Sequence, residues 1–314
     1  MTTLRQTESN PLPDTDAAGF VRTPDGFSIR YAVCKAAGSA KGTIILLHGR
    51  NETIEKYTET VRDLRDTAMD IVTFDWRGQG GSDRFFRNGG PGYIDDFEQY
   101  SIDLDTIFRE IVLPDCRPPY HIIAHSTGCL IALYSAPVMA NRIRRMVLSA
   151  PLLGLPVPAT QNALARFVAG VLCFIGLGNI YLAGGPPKQL RQPFETNALT
   201  SDPDRYARNV ELVEQHPDLA LGGPTPAWTS ATFRALDAIR RPAHMAATTI
   251  PTLIVAAGRD TVVSNAACES HSRRLRSASM LTINGAKHEI FQEADIYRRQ
   301  LLAAIRAFIP GTED

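Results

Sequence analysis

Short, continuously apolar runs recur along the chain, each closed by small or polar residues. They are Thr43–Leu47, Ile71–Phe74, Tyr120–His125, Met146–Leu148, Thr252–Ala257 and Met280–Ile283. Each is too short for a helix and lacks the polar alternation of a half-solvated strand, so each predicts a strand buried on both faces. Helical segments are expected between them at 53–68, 93–113, 127–138, 266–276 and 294–308. In the second of these, Phe97, Ile102, Leu104, Ile107, Phe108 and Ile111 supply the apolar face. Strands alternating with helices predict an α/β fold: a mostly parallel sheet with helices on both sides. Ahead of it, Phe20–Arg22 and Phe27–Val33 flank Pro24-Asp25-Gly26, the signature of a hairpin turn. The rhythm breaks at Ala150-Pro151 and resumes near residue 242, and the intervening stretch is rich in proline and glycine with no clear strand. The organisation expected is therefore a disordered lead-in at 1–17, a core of 18–150 and 242–314, and a mainly helical insertion at 151–241.

Composition narrows the classes. With 33 basic and 33 acidic residues in 314, nothing favours nucleic acid as a partner. Cys34, Cys116, Cys129, Cys173 and Cys268 are odd in number and scattered; they suggest neither a disulfide framework nor a metal site. They fit buried thiols in a reducing, cytoplasmic compartment. The polar N-terminus lacks the apolar centre of a secretory signal. One apolar run, Phe167–Ala183, is slightly short of the roughly 20 residues that span a bilayer, and glycines interrupt it. A span there would also place the reactive residues discussed next on opposite sides of a membrane. It is better read as a lid helix, buried on one side and in peripheral contact with lipid on the other, or else as a plain buried helix.

In open α/β sheets reactive groups gather beyond the C-terminal ends of the strands. Ala124-His125-Ser126-Thr127-Gly128 ends the third parallel strand and opens a helix, the outline of a nucleophile elbow. Gly258-Arg259-Asp260 follows a later strand, and Gly285-Ala286-Lys287-His288-Glu289 the last one. A serine, an aspartate and a histidine thus stand at three strand ends in that order. Ser126 is the candidate nucleophile, His288 the base and later acid, and Asp260 the group that orients the imidazole. The backbone N–H groups of Thr127 and of Arg50, after the first parallel strand, are the candidate oxyanion donors. Asp75 precedes the serine and is read as structural; His121 and His125 are read as packing residues, and His48 as shaping its loop. Gly78-Gln79-Gly80-Gly81 lacks the Lys-Ser/Thr end of a phosphate loop and reads as a tight turn. No metal or cofactor site is read from the chain.

These segments, with Leu47-His48-Gly49, Asp75-Trp76-Arg77-Gly78-Gln79-Gly80-Gly81-Ser82 and Leu148-Ser149-Ala150-Pro151, resemble the serine α/β-hydrolase family of lysophospholipases and monoacylglycerol lipases. Asn197–Asp202 and Pro224–Trp228 resemble that family's cap, so the likeness covers nearly all the chain after residue 18. It implies the α/β-hydrolase fold, a cap over the site, and carboxylic-ester hydrolysis of single-acyl-chain lipids without a cofactor. Ala124 and Cys129 replace glycines frequent in the family, but both are small. Arg50 is bulky where the family often has a small residue, and could crowd the acyl pocket. Two readings of its guanidinium are open: contact with a lipid phosphate, or an ion pair with Glu52 or Glu55. Substrate also stays open. A small-ester esterase, an aminopeptidase using acids such as Glu195, Asp202, Asp204, Glu211 and Glu214, and a ligand-binding protein with an idle triad are the alternatives. Nothing in the sequence gives the oligomeric state.

Overall fold

The computed structural model describes residues 4–86, 90–187 and 193–312. Eight strands form one sheet: β1 (Ala17–Arg22), β2 (Ser28–Cys34), β3 (Thr43–Leu47), β4 (Asp70–Phe74), β5 (Tyr120–His125), β6 (Ile143–Ser149), β7 (Thr252–Ala257) and β8 (Ala278–Ile283). Their spatial order is β1-β2-β4-β3-β5-β6-β7-β8. β1 and β2 form the expected hairpin, antiparallel to each other, and β2 runs antiparallel to β4. Every other pair is parallel. This is the α/β-hydrolase fold. Of the six runs read as strands buried on both faces, five are so, with all five residues of both β3 and β4 buried; the sixth, Met280–Ile283, is not. β8 forms an edge and is largely exposed or half-buried along its length.

Among the described residues ten α-helices surround and extend the sheet: α1 (Thr58–Arg65), α2 (Glu98–Ile107), α3 (Leu113–Asp115), α4 (Thr127–Met139), α5 (Ala159–Phe174), α6 (Pro203–Gln215), α7 (Pro226–Ile239), α8 (Pro242–Ala247), α9 (Asn265–Arg274) and α10 (Asp295–Phe308). Two expected helices are shorter or broken. The first starts as a 3-10 turn at Ile54–Tyr57, and the second begins at Glu98 rather than at residue 93 and passes through a π turn at Phe108–Val112. Large apolar clusters lie on the two faces of the sheet, one including Ile45, Val72, Ile122 and Leu148, the other Ile44, Ile71, Ile123 and Val147. Neighbouring residues of one strand thus fall in opposite clusters, as strand alternation requires.

From residue 4 onward, the stretch read as a disordered lead-in is tied down by single residues. Leu4 is buried against Ala32 and Ile54, and the Asn10 side chain donates to the Glu55 carbonyl at 2.8 Å while accepting from the Thr58 hydroxyl at 2.5 Å. A polar composition hid this, because the anchors are single residues rather than a run.

Between β6 and β7 the described chain is helical. It is joined to the core by an isolated parallel bridge, Gly92 to Pro224, supported by Gly92 N–H to Gly223 O at 2.9 Å and Thr225 N–H to Gly92 O at 3.0 Å. The apolar run at 167–183 falls partly in α5, which packs against α7 and has only Ala169 buried. No helix among the described residues is long and apolar enough to cross a membrane.

Candidate active site

β3 lies between β4 and β5, so the chain departs from it in opposite directions along the sheet. A crevice opens at such a switch point, beyond the strand ends. Ser126 stands there, at the turn from β5 into α4. Its backbone has φ 52° and ψ −115°, a strained geometry for a residue with a Cβ. Gly128 explains how strand and helix approach so closely: a Cβ there would lie 2.6 Å from the His48 carbonyl oxygen. Ala124 and Cys129 are fully buried, and the Cys129 thiol contacts the Ser149 carbonyl at 3.5 Å.

The three residues from separate strand ends meet. His288 Nε2 lies 3.0 Å from Ser126 Oγ, and His288 Nδ1 lies 2.7 Å from Asp260 Oδ2. Asp260 Oδ1 also accepts from the N–H groups of Val262 and Val263, at 2.8 and 3.0 Å. Burial alone would raise the Asp260 carboxyl, but the His288 hydrogen bond and these N–H groups outweigh it and hold its pKa below the ordinary value. Asp75 is elsewhere, as expected: it pairs with Arg30 and His48 and receives the N–H groups of Ile54 and Gly81.

The β3 loop sits against Ser126: a Cβ on Gly49 would lie 3.1 Å from Ser126 Cβ. Among the described residues neither the Arg50 nor the Thr127 backbone N–H has an acceptor. Thr127 opens α4, where N–H groups lack helical partners and the helix dipole is positive.

Sequence reasoning missed a buried network behind this loop. Glu52 accepts from the Gly49 N–H, the Tyr57 hydroxyl at 2.9 Å, His125 Nδ1 at 3.0 Å and the Lys56 ammonium at 2.9 Å. Lys56 also reaches Glu289 at 2.6 Å, and His125 Nε2 lies 3.3 Å from the His288 carbonyl oxygen. His125 is therefore no simple packing residue, because it ties the elbow strand to both neighbouring loops. Burial would raise the Glu52 carboxyl, yet Lys56 and His125 hold it well below its usual range. Burial would lower the His125 imidazole, yet Glu52 raises it. The two form a buried ion pair. His121 is buried inside β5 with neither ring nitrogen bonded, and burial pushes it down to about 4. Among the described residues no cluster of His, Cys, Asp and Glu could hold a metal ion.

The sheet order, the elbow and the meeting of three strand-end residues define a hydrolase of the α/β-hydrolase fold. The chain belongs to the family described as serine aminopeptidase S33, whose model matches residues 38–295. It is similar to the probable lysophospholipase L2 of Haemophilus influenzae, 30% identical over 266 residues, covering 85% of this chain and 83% of the relative. Likeness to lysophospholipase L2 of Escherichia coli is also 30%, over 312 residues, covering 95% and 89%. Among solved structures it superposes on the monoacylglycerol lipase of Paleococcus ferrophilus with TM-score 0.70 at 21% identity, covering 89% of this chain and 97% of that one. A thermostable carboxyl esterase of Bacillus coagulans, in complex with glycerol, gives TM-score 0.77 at 19% identity, covering 94% and 98%. The protein is thus a lysophospholipase- and monoacylglycerol-lipase-like enzyme, a carboxylic ester hydrolase by class.

Proposed function

We propose that the protein cleaves the ester of single-acyl-chain lipids through a Ser126–His288–Asp260 triad and an acyl-enzyme. The observation that carries this is the unbroken hydrogen-bonded line from Asp260 through His288 to Ser126 Oγ. With Nδ1–H held by Asp260, Nε2 of His288 is the acceptor for the serine proton. Oγ then attacks the acyl carbon, and the carbonyl oxygen gathers negative charge facing the N–H groups of Arg50 and Thr127. Imidazolium, stabilised by ionised Asp260, returns the proton to the departing alcohol. Water repeats the sequence on the acyl-enzyme and releases the fatty acid.

In this reading residues 151–241 are a cap whose apolar surface handles the acyl chain and touches lipid peripherally. Support comes from α5 and the loop after it, where Phe167 is 69% and Phe174 92% exposed, with Leu164, Val171 and Ile175 beside them. Such a patch on a soluble surface marks an interaction site. Liposome flotation tests it: the wild-type chain should float with vesicles, and Phe167→Ser/Phe174→Ser should not. Equal flotation of the two, or none for the wild type, removes the interfacial role.

An aminopeptidase would need free acids facing the triad. Asp202 is spent capping α6 and pairing with Arg205, and Glu195, Asp204 and Glu214 lie exposed. The deciding experiment is a rate panel on p-nitrophenyl esters of increasing length, lysophosphatidylcholine, monoacylglycerol and aminoacyl anilides. Lipid esters should be turned over and anilides not. Ser126→Ala should lower kcat by about 10⁶-fold. Preferential anilide cleavage, or a Ser126→Ala variant as active as the wild type, would overturn the reading.

A further inference from the structure

Arg50 follows Gly49, where a Cβ would lie 3.1 Å from Ser126 Cβ, and so carries a guanidinium on the loop that sits beside the serine. The acids nearest in sequence do not take up that guanidinium. Glu55 is held by Arg30 at 2.7 Å, and Glu52 by Lys56 and His125. The ion pair expected from sequence is therefore absent. Among the described residues Arg50 has no carboxylate partner at all. Its Nη2 donates to the Gly222 carbonyl, its Cζ lies 5.2 Å from the centre of the Trp228 ring, and its Nε is buried with no acceptor. Gly92 leaves the room it needs, since a Cβ there would lie 2.6 Å from Nη2. Arg30, Arg77 and Arg205, by contrast, each face at least two carboxylates. Burial pushes Arg50 down to about 10, so it remains charged at neutral pH.

Arg50 is half-buried with its Nε fully so; a desolvated cation without a counter-charge is costly, and an anion that reaches it is bound correspondingly well. Contact with the Trp228 ring holds the guanidinium in place, and the unpaired Nε leaves one donor of its fork without an acceptor. We propose that Arg50 recognises the phosphate of a single-chain phospholipid while its ester lies at Ser126. The inference rests on the ester-hydrolase reading above and names the substrate class within it: lysophospholipid in preference to neutral monoacylglycerol. In a lysophospholipid one glycerol unit separates the ester from the phosphate. The arginine side chain spans a comparable length between its own N–H and its guanidinium. A single residue can therefore hold the developing oxyanion with its backbone and the phosphate with its side chain.

The test compares kcat/KM on lysophosphatidylcholine and monoacylglycerol of the same acyl chain, for the full-length wild type, Arg50→Gln and Arg50→Lys. The phospholipid-to-monoacylglycerol ratio should fall roughly tenfold or more in Arg50→Gln, through KM for the phospholipid, and recover in part in Arg50→Lys. A second measurement needs no variant: glycerol 3-phosphate should inhibit monoacylglycerol hydrolysis by the wild type competitively and well below the concentration at which glycerol does. An unchanged ratio in Arg50→Gln, a lysine variant no better than the glutamine one, or equal inhibition by glycerol and its phosphate each overturns the assignment. If the wild type cleaves both lipids and the ratio does not move, only the phosphate assignment fails. If it cleaves neither lipid, the ester-hydrolase reading fails and takes the assignment with it.

Discussion

Replacing Glu52 by glutamine tests whether the buried network positions the loop bearing the Arg50 N–H. The change keeps the shape but removes the charge and one acceptor oxygen. Oε2 now accepts from the Gly49 N–H, Tyr57 and His125, and Oε1 from Lys56. An amide offers one acceptor oxygen and a donor nitrogen, so either Lys56 or the Oε2 cluster loses its bond. Removing one partner of a buried pair costs about 3–5 kcal/mol. The low end applies, because Lys56 keeps Glu289 and His125 can shed its proton. At ~3 kcal/mol, and ~1.5 °C per kcal/mol for a chain of 314 residues, the unfolding midpoint should fall by roughly 4–5 °C. Activity carries the diagnostic part. Gly49 is anchored by Glu52 and lies against Ser126, so under the proposed mechanism a loosened loop misplaces the proposed oxyanion donor, worth about 10²-fold in kcat. The assay is turnover of a short p-nitrophenyl ester at a temperature where the variant is fully folded, normalised to serine titrated by a fluorophosphonate. A lower midpoint with unchanged kcat would show that the network supports only the fold. An unchanged midpoint would refute the buried ion pair itself.

Further outcomes follow from the same geometry. Asp260→Asn should leave Ser126 in place but lower kcat on short esters by about 10⁴-fold, since an amide no longer holds the imidazole tautomer; kinetics at constant pH decide it. The His125 pKa is raised in the folded protein, so its contribution to stability is complete below the unfolded value near 6.5 and fades as pH rises through the folded one. Thermal melts across pH 6 to 9 should therefore show wild-type stability declining relative to His125→Asn; parallel curves would contradict the pairing with Glu52. Gly128→Ala would drive a Cβ to within 2.6 Å of a backbone carbonyl, and the loss expected is about 1–3 kcal/mol with a collapse of activity. Full activity and an unchanged melting point in that variant would refute the close approach at the elbow.

Much of the site was legible because it depends on short-range facts. A residue directly after a buried strand is carried to the carboxyl edge of the sheet whatever the rest of the chain does. Ser126, Asp260 and His288 each end such a run, so their meeting followed from strand position and chain order. β3 and β4 were legible for the same reason, as short apolar runs, Ile44–Leu47 and Ile71–Phe74, that Thr73 alone interrupts. β8 was harder, because an edge strand keeps only part of its surface buried. The bounds of α2 blurred because Tyr93 to Phe97 continue the apolar spacing without continuing the helix.

Electrostatic partnership was the illegible part, and its errors share one cause. Glu52 and Glu55 stand two and five residues from Arg50, and proximity along the chain made them its natural partners. The fold spends them on groups much further away: Glu55 on Arg30 of β2, Glu52 on His125 of β5. His125 was read as a packing residue, and alternation along β5 fixes only which face it lies on. What alternation cannot give is the surface it turns toward, and here that is the loop carrying His288. Each acid claimed by a distant base removes a neighbour that would have neutralised Arg50. The two misread features are therefore linked: the network that holds the loop after β3 is also what leaves the guanidinium on that loop without a carboxylate. Neutralising Glu55 by substitution would leave Arg30 with Asp75, and should not move the lipid preference. Substituting Arg50 should, because among the described residues its guanidinium, on the loop beside Ser126, faces no carboxylate.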